Sequence, residues 1–379
     1  MKNILSKINS RLEAVFYTTF RNMFKINDKQ IMFFTFQGEY TCNPKYICEQ
    51  IHKVDSSMRC VWVECDKKAQ FPEYVTVVKF GTSQYYKELY KSKVLIENAF
   101  NYTKRFFVKK KSQIGIQTMH GSLGIKKIGV DANKSKKRNH RGFRSAKYTD
   151  YIISNSDFEN MVYHTSFWEN TPVKMLGHAR NDILFQNNEA TVAKVRKFYN
   201  IESDAKLLLY APTFMRNNKE TIENIDYMRL RKALSAKFGG NWYIIERLHP
   251  RDVRNSKDNE DKYVLNGNKY ADIQELMIAA DFGITDYSSW IYDYVLTEKP
   301  GIIYAPDIKE YSDSTGFYYP INTTPFPIAV NNAELIDQID KWSSDTYRAD
   351  VKNFIKDKGC VDDGNASSRI VELLKNLII

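Results

Sequence analysis

A chain of 379 residues, 43% hydrophobic and 27% charged, has the length of two domains and ample material for a core, which excludes a disordered, collagenous or coiled-coil protein. With a mean hydropathy of −0.51 and no apolar run of 18 residues, no segment reads as a bilayer-spanning helix. Its five cysteines form no Cys-x-x-Cys pair, so neither a disulfide framework nor a zinc site is supported, and a reducing cytoplasm is the simplest compartment.

Leu5, Ile8, Leu12, Val15, Phe16, Phe20 and Met23 recur at helical spacing and predict an amphipathic helix over 4–26. Ser6, Lys7, Ser10 and Arg11 interrupt any signal-peptide run. Such a helix lies on a membrane surface or packs on its own domain. From Lys29 onward, β-rich runs alternate with helical ones. Strands are expected over 31–36, 60–64, 75–80, 94–97, 114–118, 151–154 and 173–176, with helices over 43–54 and 84–91. A polar stretch over 185–204 follows. A second set of strands is expected over 206–210, 242–246, 262–265, 282–285 and 301–304, and a helix over 367–378 ends the chain. This alternation predicts an α/β protein with two doubly wound parallel sheets. The expected organisation is a helix over 1–28, one domain over 29–188 and another over 189–379.

The net charge of +11 is local. Between Lys104 and Lys147 stand fourteen basic residues and one acid, Asp131, whereas the rest of the chain is nearly balanced. This run, including Lys109, Lys110, Lys111, Lys126, Lys127, Lys136, Lys137 and Arg138, points to an anionic partner. Tyr102, Phe106, Phe107 and Phe143 border the basic clusters without interleaving them, which weighs against a nucleic-acid-binding module.

In doubly wound sheets, ligands bind beyond the carboxyl ends of the strands, so the residues that follow each strand are the candidates for chemistry. His120-Gly121 follows the strand over 114–118, with a helical stretch expected over 123–128. Arg247 and His249, ahead of Pro250, follow the strand over 242–246; a cation and an imidazole suit a diphosphate and a proton transfer. Thr285, Asp286, Ser288 and Ser289 end a buried strand and open a helix, an arrangement that cradles phosphate. Gly177 to Asp182 and Ala211-Pro212-Thr213 are two further strand-end loops. No Gly-x-Gly-x-x-Gly, Walker loop, Ser-His-Asp set or short-spaced metal-ligand cluster is present. The residues therefore mark no metal site and no required cofactor, and any stimulation by Mg2+ lies outside what they mark.

In this order and spacing, Met119-His120-Gly121-Ser122, Arg180-Asn181-Asp182, Tyr210-Ala211-Pro212-Thr213, His249-Pro250, Ile284 through Ser289, Asp307 to Tyr311 with Gly316-Phe317-Tyr318, and Asp363 through Ser367 form a set. The set resembles the CDP-glycerol glycerophosphotransferase family of teichoic acid primases and polymerases. The resemblance implies a GT-B fold, two Rossmann-like domains facing a central cleft, with an acceptor domain first and a CDP-donor domain second. It also implies transfer of glycerol phosphate from CDP-glycerol to a hydroxyl of a lipid-linked or polymeric cell-surface glycan, with release of CMP. His120 and His249 match the family's functional histidines. Arg247, Thr213, Thr285, Asp286, Ser288, Ser289, Gly121, Arg180, Asn181 and Asp182 are then expected at the donor's phosphates and nucleotide. The basic run and first helix suit an anionic membrane at its cytoplasmic face, with no nucleic acid as partner. Met119 stands where the family commonly has Trp, Ser122-Leu123 where it has Thr-Pro, and Ala179 where it has Pro. A CDP-ribitol ribitolphosphotransferase and a GT-B sugar transferase are the neighbouring readings.

Overall fold

A computed structural model describes residues 2–65, 69–100, 107–132, 136–213, 224–249 and 261–378; side chains of 2–10, 37, 136–138 and 314 are outside the description. The chain divides into two compact units. The first comprises residues 1–120, 129–182 and 361–379, and the second residues 121–128 and 183–360.

The first unit holds a seven-stranded sheet of β1 (Asn27–Phe34), β2 (Arg59–Glu64), β3 (Val75–Lys79), β4 (Ser92–Glu97), β5 (Ile114–Gln117), β6 (Tyr151–Ser154) and β7 (Val173–Met175). The order is β3-β2-β1-β4-β5-β6-β7, and every pairing is parallel. Ile31, Met32, Phe33 and Phe34 are all buried, as a central parallel strand covered on both faces requires. The helices are α1 (Lys2–Thr19), α2 (Cys42–Val54), α3 (Ser83–Lys91), α4 (Lys136–Ala146) and α5 (Asp157–Ser166). Thr82 and Ser156 start α3 and α5 by accepting the backbone N–H three residues on. Sequence order reverses between β1 and β4, so the connections leave those strands in opposite directions and open a crevice at their carboxyl ends.

The second unit repeats this plan with β8 (Lys206–Tyr210), β9 (Trp242–Glu246), β10 (Val264–Asn266), β11 (Phe282–Thr285), β12 (Gly301–Tyr304) and β13 (Ile328–Ala329). The order is β10-β9-β8-β11-β12-β13, again all parallel, with the reversal between β8 and β11. Its helices are α6 (Glu189–Tyr199), α7 (Tyr227–Phe238), α8 (Ile273–Ala279), α9 (Trp290–Tyr294), α10 (Ile308–Ser314), α11 (Asn332–Asp340) and α12 (Ser344–Asp357). The last helix, α13 (Ala366–Ile378), returns to the first unit, where Gln50 on α2 donates to Ser368 at 3.0 Å.

The twelve expected strands are present, and the two-residue edge strand β13 is an addition. Two expectations are corrected. Residues 123–128 are not helical: Lys126 bridges antiparallel to Phe317, Lys127 N–H donates to Gly316 O, and Tyr318 N–H donates to Ile125 O. Those external partners satisfy the backbone groups that a helix would have paired internally. The second correction is to the domain boundaries, because 361–379 packs in the first unit while 121–128 packs in the second.

Candidate active site

In the first unit, the chain leaves β4 at Asn98 and β5 at Thr118, beside the reversal point. His120 sits exposed at that rim, and its Nδ1 lies 2.5 Å from Asn98 O. A carbonyl only accepts, so Nδ1 carries the proton and the neutral ring's lone pair is on Nε2. Phe36, itself 42% exposed, stands with its ring 6.1 Å from the imidazole, and its N–H donates to Asn98 Oδ1 at 3.0 Å. Asn98 is buried and thus fixes both neighbours, one through its carbonyl and one through its side chain. Asn98 and Phe36 escaped the sequence reading; their signal was position, immediately after the two strands that flank the reversal.

In the second unit, Thr213 and Asp286 follow β8 and β11, again at the reversal point. The Asp286 carboxylate accepts Thr213 N–H at 2.9 Å, Thr213 Oγ1–H at 2.6 Å and Tyr287 N–H at 2.5 Å. Burial pushes its pKa up, while the Thr213 bonds and the Lys126 ammonium pull it down. Thr285 Oγ1 donates to Ala211 O at 2.7 Å and lies 3.2 Å from Trp290 Nε1. Thr213, Thr285 and Asp286 therefore brace the loop from within.

Ser288 and Ser289 remain half-buried on that loop, and Gly121 and Gly124 pass over Ser289. A Cβ on Gly124 would stand 3.1 Å from Ser289 Cβ, so a side chain there would press Ser289 aside by a few tenths of an ångström. Ser289 makes no side-chain cap bond to α9.

Arg247 lies at the end of β9, and its guanidinium donates to Gly267 O at 2.9 Å, Tyr270 O at 2.5 Å and Ala271 O at 3.3 Å. It ties the 267–271 loop. Arg180, Asn181 and Asp182 are buried in the first unit. Asp182 accepts the N–H groups of Ala366 and Ser367 at 2.8 and 2.7 Å and so caps α13. Asn181 Nδ2 donates to Asp362 Oδ2 at 2.9 Å, and Arg180 N–H donates to Asn43 Oδ1 at 3.1 Å. Gly177 at φ +88° is needed beside them, because a Cβ there would reach Ala366 Cβ and Asp362 Oδ1 at 2.9 Å. His249 is half-buried at the mouth of β9; residues 250–260 lie outside the description.

The basic run divides between the units. Lys110 is buried: its Nζ donates to Tyr90 O at 2.7 Å and to Phe24 O, and desolvation pulls its pKa down. Lys109 pairs with Asp150. Both ammonium groups are thus held by partners within the first unit. Lys111 is exposed; Lys126 and Lys127 belong to the second unit, against Phe317 and Gly316; and the side chains of Lys136, Lys137 and Arg138 lie outside the described residues. Among the described residues no helix is long and apolar enough to cross a membrane, and no three His, Cys, Asp or Glu are grouped to hold a metal ion.

Residues 15–376 match the family of CDP-glycerol:poly(glycerophosphate) glycerophosphotransferases. The chain is 29% identical to a teichoic acid glycerol-phosphate transferase of Staphylococcus aureus, over 99% of both proteins. It is 28% identical to a teichoic acid poly(glycerol phosphate) polymerase of Staphylococcus epidermidis, over 99% of this chain and 54% of that one, so it spans about half that polymerase's length. A variant of the wall teichoic acid polymerase TagF soaked with CDPG superposes with a TM-score of 0.86 and 26% identity, over 100% of this chain and 95% of that one. Two doubly wound units agree with this likeness across nearly the whole length. The chain belongs to the CDP-glycerol:poly(glycerophosphate) glycerophosphotransferase family.

Proposed function

We propose that this protein transfers glycerol phosphate from CDP-glycerol to a hydroxyl of a lipid-linked or polymeric cell-surface glycan and releases CMP. The observation that carries the reading is the His120 ring, whose Nδ1–H is held by Asn98 O. A base needs its lone pair presented at a fixed place, and this bond sets both tautomer and direction. Nε2 of His120 takes the acceptor's proton as its oxygen attacks the β-phosphorus. The bond between that phosphorus and the bridging oxygen breaks, and CMP leaves with the electron pair. His249 stabilises charge on the departing phosphate, and Ser288 and Ser289 hold the diphosphate. Phosphoryl transfer of this kind depends on positioning and charge more than on covalent chemistry.

The test is release of CMP from CDP-glycerol and, in parallel, from CDP-ribitol, with a membrane extract as acceptor. Release from the glycerol donor alone, abolished by His249→Ala, is the expected result. Preference for CDP-ribitol would move the reading to a ribitol phosphate transferase. Inactivity with both, alongside turnover of a sugar nucleotide, would overturn it.

The acceptor's lipid places the enzyme at the cytoplasmic face of the membrane as a peripheral protein. Support comes from α1. Ala14 and Tyr17 turn inward, Tyr17 stacking on Tyr86 of α3, while Leu12, Val15, Phe16 and, just beyond the helix, Phe20 and Met23 are exposed beside exposed Arg11 and Lys25. Each basic side chain near an anionic surface contributes about 1 kcal/mol. Sedimentation with phosphatidylglycerol vesicles is expected to fall as salt rises, and to fall again for Phe16→Ser with Met23→Ser. Binding indifferent to salt and to both substitutions would refute the membrane assignment.

A further inference from the structure

Four non-glycine residues among those described have positive φ: Cys42, Met119, Asn200 and Glu298. Asn200 and Glu298 are helix C-caps, where the left-handed conformation is ordinary. Cys42 (φ 61°) and Met119 (φ 48°) have no such reason. They belong to different elements, yet each adjoins one contact. Asn43, which follows Cys42 at the start of α2, donates from Nδ2 to Thr118 O at 2.9 Å and to Met119 O at 3.3 Å. Its amide is oriented without ambiguity, because Oδ1 accepts Arg180 N–H. On the other side of the same residue, Gln117 Oε1 accepts Met119 N–H at 2.9 Å. Gln117 is held in turn by its donation to Glu97 Oε1 at 2.9 Å, and Asn43 and Gln117 are both fully buried.

Two buried amide side chains thus grip both polar backbone groups of one strained residue, and the next residue is His120. Left-handed backbone at a residue with a Cβ persists only where its surroundings over-determine it. We infer that Asn43, acting with Gln117, is a positioning residue for the transfer reaction: it holds Met119 in the left-handed conformation that turns the His120 ring onto Asn98 O. The inference rests on His120 being the base. Asn43 touches no reacting atom; it acts through the backbone that carries the imidazole. In its absence Met119 relaxes to negative φ, the ring swings away from Asn98 O, and the lone pair no longer meets the acceptor hydroxyl.

The experiment uses the full chain, CDP-glycerol and steady-state CMP release. Asn43→Ala is expected to lower kcat roughly 10–100-fold, the scale of an ångström of misplacement, with KM for CDP-glycerol within about 3-fold. Loss of the Arg180 partner lowers stability as well, so a thermal melt accompanies each variant, and the decisive readout is rescue. Met119→Gly and Met119→Ala lose nearly the same buried side chain, but only glycine enters the left-handed region freely. In the Asn43→Ala background, glycine at 119 is expected to give at least about 5-fold higher kcat than alanine at 119. In the parent background, where Asn43 enforces the conformation on either residue, the two differ less than about 2-fold. Equal kcat for glycine and alanine in the Asn43→Ala background overturns the positioning role. Should Asn43→Ala lack a cooperative melt, Met119→Val, which keeps every amide contact but resists positive φ, takes its place, and undiminished kcat there overturns the inference. Wild-type turnover by His120→Ala would instead refute the base assignment on which the inference stands.

Discussion

Replacing His120 by alanine is expected to lower CMP release from CDP-glycerol about 10²–10⁴-fold while leaving the thermal transition in place. The magnitude is that of a positioned acid–base group. The unchanged stability follows from geometry: the ring is exposed at the rim of the sheet, its Nδ1–H bond reaches a backbone carbonyl, and its aromatic neighbour Phe36 is itself 42% exposed. Little apolar surface is lost, and Asn98 O gains access to water when the ring goes. The measurement is steady-state kinetics at saturating donor, paired with a melt. A fall carried by donor KM with kcat intact would make His120 a binding group and remove the proton-transfer role. Turnover within a few-fold of the parent would remove both.

Replacing Asp182 by alanine is expected to act the opposite way, lowering stability by about 2–4 kcal/mol with donor KM unchanged. Both of its oxygens accept backbone N–H groups at the start of α13, and the side chain is 4% exposed. Losing an N-cap costs about 1–2 kcal/mol, and leaving buried donors unmet adds more. Urea melts measure the loss. A normal melt together with a raised donor KM would return Asp182 to the phosphates.

The same residue sets a pH dependence. Burial pushes its pKa above the ordinary aspartate value of about 3.9, outweighing the bonds from Ala366 and Ser367. Between the ordinary and the raised value the folded state binds more protons, so its stability from this group falls as pH rises through that window. Asparagine does not titrate there. The cost of Asp182→Asn is therefore expected to be larger at pH 4.5 than at pH 7; a cost independent of pH would contradict the raised pKa.

The strands were legible because a parallel strand covered on both faces is a short apolar run, and those runs recur between polar turns. Residues 31–34, 207–209 and 282–285 needed nothing more than composition to be found. The strand-end positions of His120, Ser288 and Ser289 were legible for a related reason, since each follows directly on one of those apolar runs. The distinction between a ligand and a strut was not legible. Arg247, Asp182 and Lys110 carry the charges a phosphate or a lipid surface would seek, and their partners are backbone groups 20 or more residues away in the chain. No spacing rule reaches such partners, because they are set by how the loops pack.

The sequence by itself determined two alternating α/β halves, the strand-end histidines and serines, and the family motifs, since each is written in local periodicity or in short contiguous runs. Only the tertiary structure decided that residues 123–128 pair with the 316–319 loop instead of coiling, that α13 belongs to the first unit, and that Asn43 stands beside Met119. Those outcomes depend on backbone groups finding partners far away in the chain, and a buried N–H or C=O takes whichever partner the assembled fold supplies.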